Sequence, residues 1–151
     1  MDVENQPVAK IELLIRKPVA EVFEAFVSPD TITKFWFDRS SGRLEPGKTV
    51  RWYWDLFDAS PEVYVKAIEE NRRIYIDWDA GTDNATTVEW KFEPRSDDTT
   101  YVRVVNAGFS GDGDTVVKTA IDSAGGFALV LAAAKAYLEH GVRLNIVADR
   151  F

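Results

Sequence analysis

Hydrophobic and polar residues alternate with period two over residues 8–15 (VAKIELLI), which puts Ile11, Leu13 and Ile15 on one face and predicts a strand. Pro18 stops that pattern and suits the first turn of a helix. Val19, Val22, Phe23 and Phe26 then follow at helical spacing, so 18–27 reads as a short amphipathic helix. Ser28-Pro29-Asp30 breaks it and starts a second helical segment with Ile32, Phe35 and Trp36 on its apolar side.

From Lys48 to Arg103 the pattern returns to strands separated by turn chemistry, beginning after Glu45-Pro46-Gly47. The predicted strands are about 48–56, 61–69, 73–79, 85–94 and 99–107, parted by Asp58-Ala59-Ser60, Glu70-Asn71-Arg72, Ala80-Gly81-Thr82-Asp83 and Ser96-Asp97-Asp98. Val88, Trp90 and Phe92 alternate with Thr87, Glu89 and Lys91, so one face is expected in the core and the other in water. Such closely spaced strands form an antiparallel meander.

After the glycine-rich loop Gly108 to Gly113, Asp114 is placed to cap a helix running to about Glu139, ended by Gly141. At about 1.5 Å per residue it is nearly 40 Å long. Val117, Ala120, Ala124, Phe127, Leu131, Ala134 and Leu138 make one apolar stripe along it, which has to lie on the sheet. The tail Val142 to Phe151 alternates again without declaring an element. The predicted order is β-α-α-β-β-β-β-β-α, an α+β layer in which about six curved antiparallel strands meet one long C-terminal helix.

Composition narrows what such a layer does. At 151 residues with 46% hydrophobic and 28% charged, the chain is expected to form one globular domain over 1–151. The formal charge of -7, with scattered basic residues, argues against nucleic acid and against anionic membrane surfaces as partners. No leader is read in Met1 to Lys10, and the longest apolar run is only Phe127 to Ala134, so a cytoplasmic protein is expected. The absence of cysteine removes thiolate chemistry.

The segments KPVAEVFEAF (17–26), TITKFWF (31–37), LEPGKTVRW (44–52), VEWKFEP (88–94) and GGFALVLAAAKAYLEHG (125–141) together resemble the START-like (SRPBCC, helix-grip) superfamily. They are most similar to its branch of homologues of the heat-shock-protein ATPase activator C-terminal domain. The resemblance implies a sheet wrapped around the C-terminal helix. It also implies a cavity between them of the kind that holds lipids, polyketides, hormones or other hydrophobic molecules. Some members are cyclases or hydrolases, but the branch has no shared catalytic motif to carry over, and its name is inherited from a co-chaperone.

Five Trp, five Tyr and nine Phe are many for such a chain. Trp52 and Trp54 share a strand face, and Trp78 and Trp90 sit on the third and fourth meander strands. With Trp36, Phe23, Phe127 and Leu131 they are candidates for a pocket wall, while core filling uses the same residue types. Asn106 has the parity of Val102 and Val104; its amide can orient a ligand oxygen or hold a turn near Gly108. Gly125 and Gly126 in mid-helix each cost about 1 kcal/mol relative to Ala, which points to close packing or a bend.

His140, the single histidine, falls at a helix C-terminus, where the dipole favours its charged form; capping explains it better than catalysis. Asp77, Asp79 and Asp83, and again Asp112 and Asp114, form acidic groups. The second lacks the calcium-loop pattern, and strand parity sends Asp77 and Asp79 to water. No catalytic residue, metal site or cofactor is assigned.

Three functions follow from these features: binding a small hydrophobic or aromatic molecule, a cyclase- or hydrolase-like reaction in the same cavity, or activation of a chaperone ATPase. The first needs only what the residues supply. A homodimer is left open.

Overall fold

The computed structural model describes residues 6–150; the readings that touch Met1 to Asn5 and Phe151 lie outside them. In chain order the elements are β1 (Ala9–Ile15), α1 (Val19–Val27), α2 (Pro29–Ile32), β2 (Arg39–Ser40), β3 (Thr49–Tyr53), a 3₁₀ turn (Asp55–Phe57), β4 (Glu62–Glu69), β5 (Arg73–Trp78), β6 (Thr86–Ser96), β7 (Thr99–Ala107), α3 (Gly113–His140) and α4 (Ile146–Arg150). The strands pair antiparallel in the order β1-β7-β6-β5-β4-β3-β2 and curl into a half-barrel around α3, the helix-grip arrangement. The sheet has seven strands rather than about six. The addition is β2, whose two residues are too few to carry a periodicity.

Alternation sets the core as predicted. Val88, Trp90 and Phe92 of β6 are buried and stand opposite Asn106, Val104 and Val102 of β7. Ile74 and Ile76 of β5 lie opposite Trp90 and Val88 on the other side. Pro94 is tolerated because the last hydrogen bond β6 gives on its β5 side is Phe92 N–H to Arg72 O (2.8 Å), so at Pro94, of the same parity, that side has no partner strand to receive an N–H. Phe23 and Phe26 of α1 close that end of the barrel, with rings 5.6 and 5.9 Å from Phe92.

The predicted strand 48–56 is shorter. β3 stops at Tyr53, where Asp55 N–H donates to the Asp38 carboxylate (2.6 Å) and Arg39 clamps the Asp55 carboxylate (3.1 Å). These local polar contacts compete with the sheet and win. The chain turns through Asp58 at φ 50° and returns to a single bridge between Trp54 and Ala59.

Helix α3 begins earlier than expected. Asp112, not Asp114, is the N-cap, its carboxylate accepting from Thr115 N–H at 2.8 Å, and Gly141 at φ 67° ends the helix as predicted. At that end Val116, four residues before the buried Ala120, is buried rather than Val117, while Phe127, Leu131 and Ala134 keep their predicted places. By length and composition alone α3 could cross a membrane. Here its Phe127, Val130, Leu131, Ala133 and Ala134 are buried against the sheet.

Polar anchors hold the two ends of α3 to different strands. Near its C-terminus, Lys135 Nζ donates to Leu14 O (2.7 Å) and Glu139 accepts from Arg16 N–H (2.8 Å), tying the helix to the end of β1. In its N-terminal half, Ser123 is bonded to Asn106 of β7. The close sheet contacts of α3 are therefore with β1 and β7. Strands β3 to β5 are left to other cover.

Candidate functional site

Between α3 and the strand ends around Trp54, Trp78, Thr86 and Asn106 a cavity of about 1090 Å³ opens, its mouth toward solvent. Trp36, from the segment after α2, Trp54, the residue just past β3, and Trp78, from the end of β5, supply one wall, and Phe127 of α3 faces them. The centroid of the Trp36 ring lies 5.7 Å from Trp78, 6.2 Å from Trp54 and 5.7 Å from Phe127. All three indoles are partly exposed, unlike the core tryptophans behind them.

The remaining predicted residues lie deeper. Trp52 and Trp90, each 1% exposed, Phe23 and Leu131 are core residues outside the cavity lining. Trp52 stacks on Phe37 at 4.6 Å, and Trp90 packs against Trp36 at 6.1 Å and Phe26 at 6.2 Å. Burial leaves Trp90 Nε1 without a hydrogen-bond partner among the described residues. An unsatisfied buried donor costs about 1–3 kcal/mol.

Asn106 lines the cavity yet is only 6% exposed and fully engaged. Its Nδ2 donates to Thr86 Oγ1 (3.0 Å) and Thr87 O (2.8 Å), and its Oδ1 accepts from Ser123 Oγ (2.7 Å). The Thr87 carbonyl can only accept, which fixes the amide's orientation. Its hydrogen bonds run to Thr86, Thr87 and Ser123 rather than to a turn near Gly108, and they join β6, β7 and α3 at one edge of the cavity.

Several lining residues carried no sequence signal. Phe109, the one large apolar residue of the glycine loop, and Phe57, from the 3₁₀ turn, add aromatic surface, and Ile146 and Val147 of α4 bring the unplaced tail onto the rim. Gly126 faces the cavity while Gly125 is exposed, and α3 runs through both without interruption.

Parity also failed for one aspartate. Asp77 stays on the outer face, 3.5 Å from Lys66. Asp79, just past the end of β5, adopts φ 56°, which breaks the alternation and puts it on the cavity wall. Asp and Asn enter this left-handed region more readily than most residues. Burial pushes the Asp79 carboxyl above the ordinary aspartate range. His140, by contrast, is exposed at the far end of α3, 3.8 Å from Glu139.

Comparison with known proteins places this geometry. No functionally curated protein matches the chain. A solved structure from Staphylococcus saprophyticus is 30% identical over 91% of this chain and 96% of its own, with a TM-score of 0.78. The Aha1 dimer of Colwellia psychrerythraea (17% identical, 89% and 98% covered, TM-score 0.74) and CalU16 of Micromonospora echinospora (18% identical, 93% and 80% covered, TM-score 0.71) share the fold. The family model described as Activator of Hsp90 ATPase homolog 1-like protein matches residues 16–139, from the end of β1 to the end of the gripped helix, and the chain belongs to that family.

Proposed function

We propose that the chain binds a small hydrophobic or aromatic molecule in the cavity between the sheet and α3. One observation carries this reading: Trp36, Trp54 and Trp78 are partly exposed, and all three face the same 1090 Å³ space. Exposed indole surface is costly in water, and a guest that covers it recovers that free energy, at about 25 cal/mol per Å² of apolar area. Polar neighbours such as Thr86, Ser110, Thr119 and Asp122 supply groups that can orient a guest at the rim. No cofactor is needed for this role.

A reaction in the same space would need a proton donor and acceptor in reach of the guest. The titratable carboxylates of the described wall are Asp79 and Asp122, and His140 lies elsewhere, so binding is the better supported reading. The family description names an Hsp90 ATPase activator. That activity would act through an outer surface, whereas the unusual feature here is internal. We also propose a homodimer, because the Aha1 protein of Colwellia, which shares this fold, is a dimer. Sedimentation at micromolar concentration giving one 17.0 kDa species would exclude it.

The test is native mass spectrometry of protein purified from its own host, together with tryptophan quenching by a panel of lipids and aromatic compounds. A co-purifying small molecule, or saturable quenching with a raised melting temperature, is expected. A broad panel without any response removes the proposal.

A further inference from the structure

The charges around the cavity are one-sided. Asp79 and Asp122 line it, and none of the described lining residues is Lys, Arg or His. The bases nearest along the neighbouring strands are already paired outside it: Lys66 with Asp77, Arg51 with Glu62 and Arg39 with Asp55. The Asp79 carboxylate has no hydrogen bond or ion pair among the described residues. Burial is the single cause of its upward shift, so no cation compensates it. A partly desolvated carboxylate without a counter-ion costs free energy that a bound cation would offset.

The aromatic wall has the same preference. Trp78 immediately precedes Asp79, and its ring forms with those of Trp36 and Trp54 a triangle with sides of 5.7, 6.2 and 5.7 Å between centroids. The faces of indole rings are electron-rich, and Trp is the strongest of the side chains that hold cations this way. A formal charge of -7 adds a long-range attraction of the same sign.

We infer that the cavity selects a cationic guest, an amine or quaternary ammonium attached to an apolar body, with Asp79 as its counter-ion and the Trp36–Trp54–Trp78 group as its aromatic seat. This rests on the reading of the cavity as a binding site and adds the chemical class of what enters. Asp79 then has a reason to leave the outer face: the left-handed turn at its own φ delivers a carboxylate to an apolar wall, where strand parity would have left it in water.

Three probes with one fluorophore separate the two readings: dansylcadaverine, whose tail is an ammonium; N-pentyl dansylamide, which is neutral; and 6-(dansylamino)hexanoate, which is anionic. Titrated into the native chain at low salt, the ammonium probe is expected to bind about tenfold more tightly than the neutral one and the anion more weakly still, the gap narrowing as salt is raised. Asp79→Asn, which keeps the side-chain shape and tolerates the left-handed backbone, should cost the ammonium probe about five- to tenfold, a clearly larger loss than the neutral probe suffers. Asp77→Asn, which removes one charge from the outer face, should change neither.

Equal affinity for the three probes, or a preference for the anion, overturns the charge selection and leaves the binding site standing. An ammonium preference that survives Asp79→Asn overturns the assignment to Asp79. Failure of all three probes to bind removes the cavity reading and this inference with it. The ranking in the native chain stands apart from any folding defect of the variant.

Discussion

Ser123 on α3 and Asn106 on β7 meet through a 2.7 Å hydrogen bond, and both residues lie on the wall of the cavity. The close sheet contacts of the long helix are with β1 and β7. The same amide holds Thr86 and Thr87 of β6, so one side chain sets both the helix position and the edge of the hollow.

Removing that amide should be expensive. Asn106→Ala removes the buried bonds to Thr86, Thr87 and Ser123 and is expected to cost about 2–3 kcal/mol, while Ser123→Ala costs about 1. Urea unfolding of both variants and of the double mutant checks this, because two groups sharing one bond should be non-additive. Additive losses would show that the contact does not couple helix to strand.

The tryptophans should divide into two classes. Trp52→Ala empties a fully buried site and is expected to cost about 3–5 kcal/mol. Trp54→Ala removes a partly exposed ring, so its main effect should fall on ligand affinity, with a smaller loss of stability. Melting temperatures and probe titrations on the two variants test the division; equal stability losses would contradict it.

Trp90→Phe is expected to be milder than its burial suggests. It loses part of a packed ring but also removes the orphaned Nε1 donor, so the net cost should stay within about 2 kcal/mol. Chemical denaturation measures it, and a loss as large as that of Trp52→Ala would mean the indole nitrogen has a partner after all.

Stability should fall in acid through identifiable carboxylates. The Arg43 hydrogen bonds hold Glu24 below the ordinary glutamate range. Burial pushes Glu139 up, but the Arg16 amide and Lys135 outweigh it and leave it low as well. A depressed folded pKa means stabilisation that is complete above the unfolded value, about 4.3, and lost as pH falls through the folded one. Melting temperature is therefore expected to drop below about pH 5, and Glu24→Gln should shallow that acid limb. An unchanged limb in the variant would assign the acid sensitivity elsewhere.

Asp112 and Asp114 offer a direct comparison at the start of α3. Asp112 accepts from Thr115 N–H, and hydrogen bonding from that residue lowers its pKa. Asp112→Ala should lower the melting temperature more than Asp114→Ala does, since only the first loses the cap. The reverse order would restore Asp114 as the capping residue.

The repeating signals were legible because burial imposes them on the chain. Period two in Val88, Trp90 and Phe92, helical spacing in Phe127, Leu131 and Ala134, and glycine at 141 determined the meander, the long helix and its end. What escaped was set by which particular side chains meet, something a hydrophobic period does not record. The 3₁₀ turn after Tyr53 depends on Asp38 and Arg39, the N-cap on which of two nearby aspartates reaches Thr115, and β2 on a partner strand. Among the tryptophans, Trp36, Trp54 and Trp78 differ from Trp52 and Trp90 only in what α3 leaves uncovered, and that depends on the anchors at Asn106, Leu14 and Arg16. Hydrophobic patterning states that a side chain is turned inward; whether it meets another side chain or an empty space is decided by the position of a helix whose own stripe is compatible with several placements on the sheet.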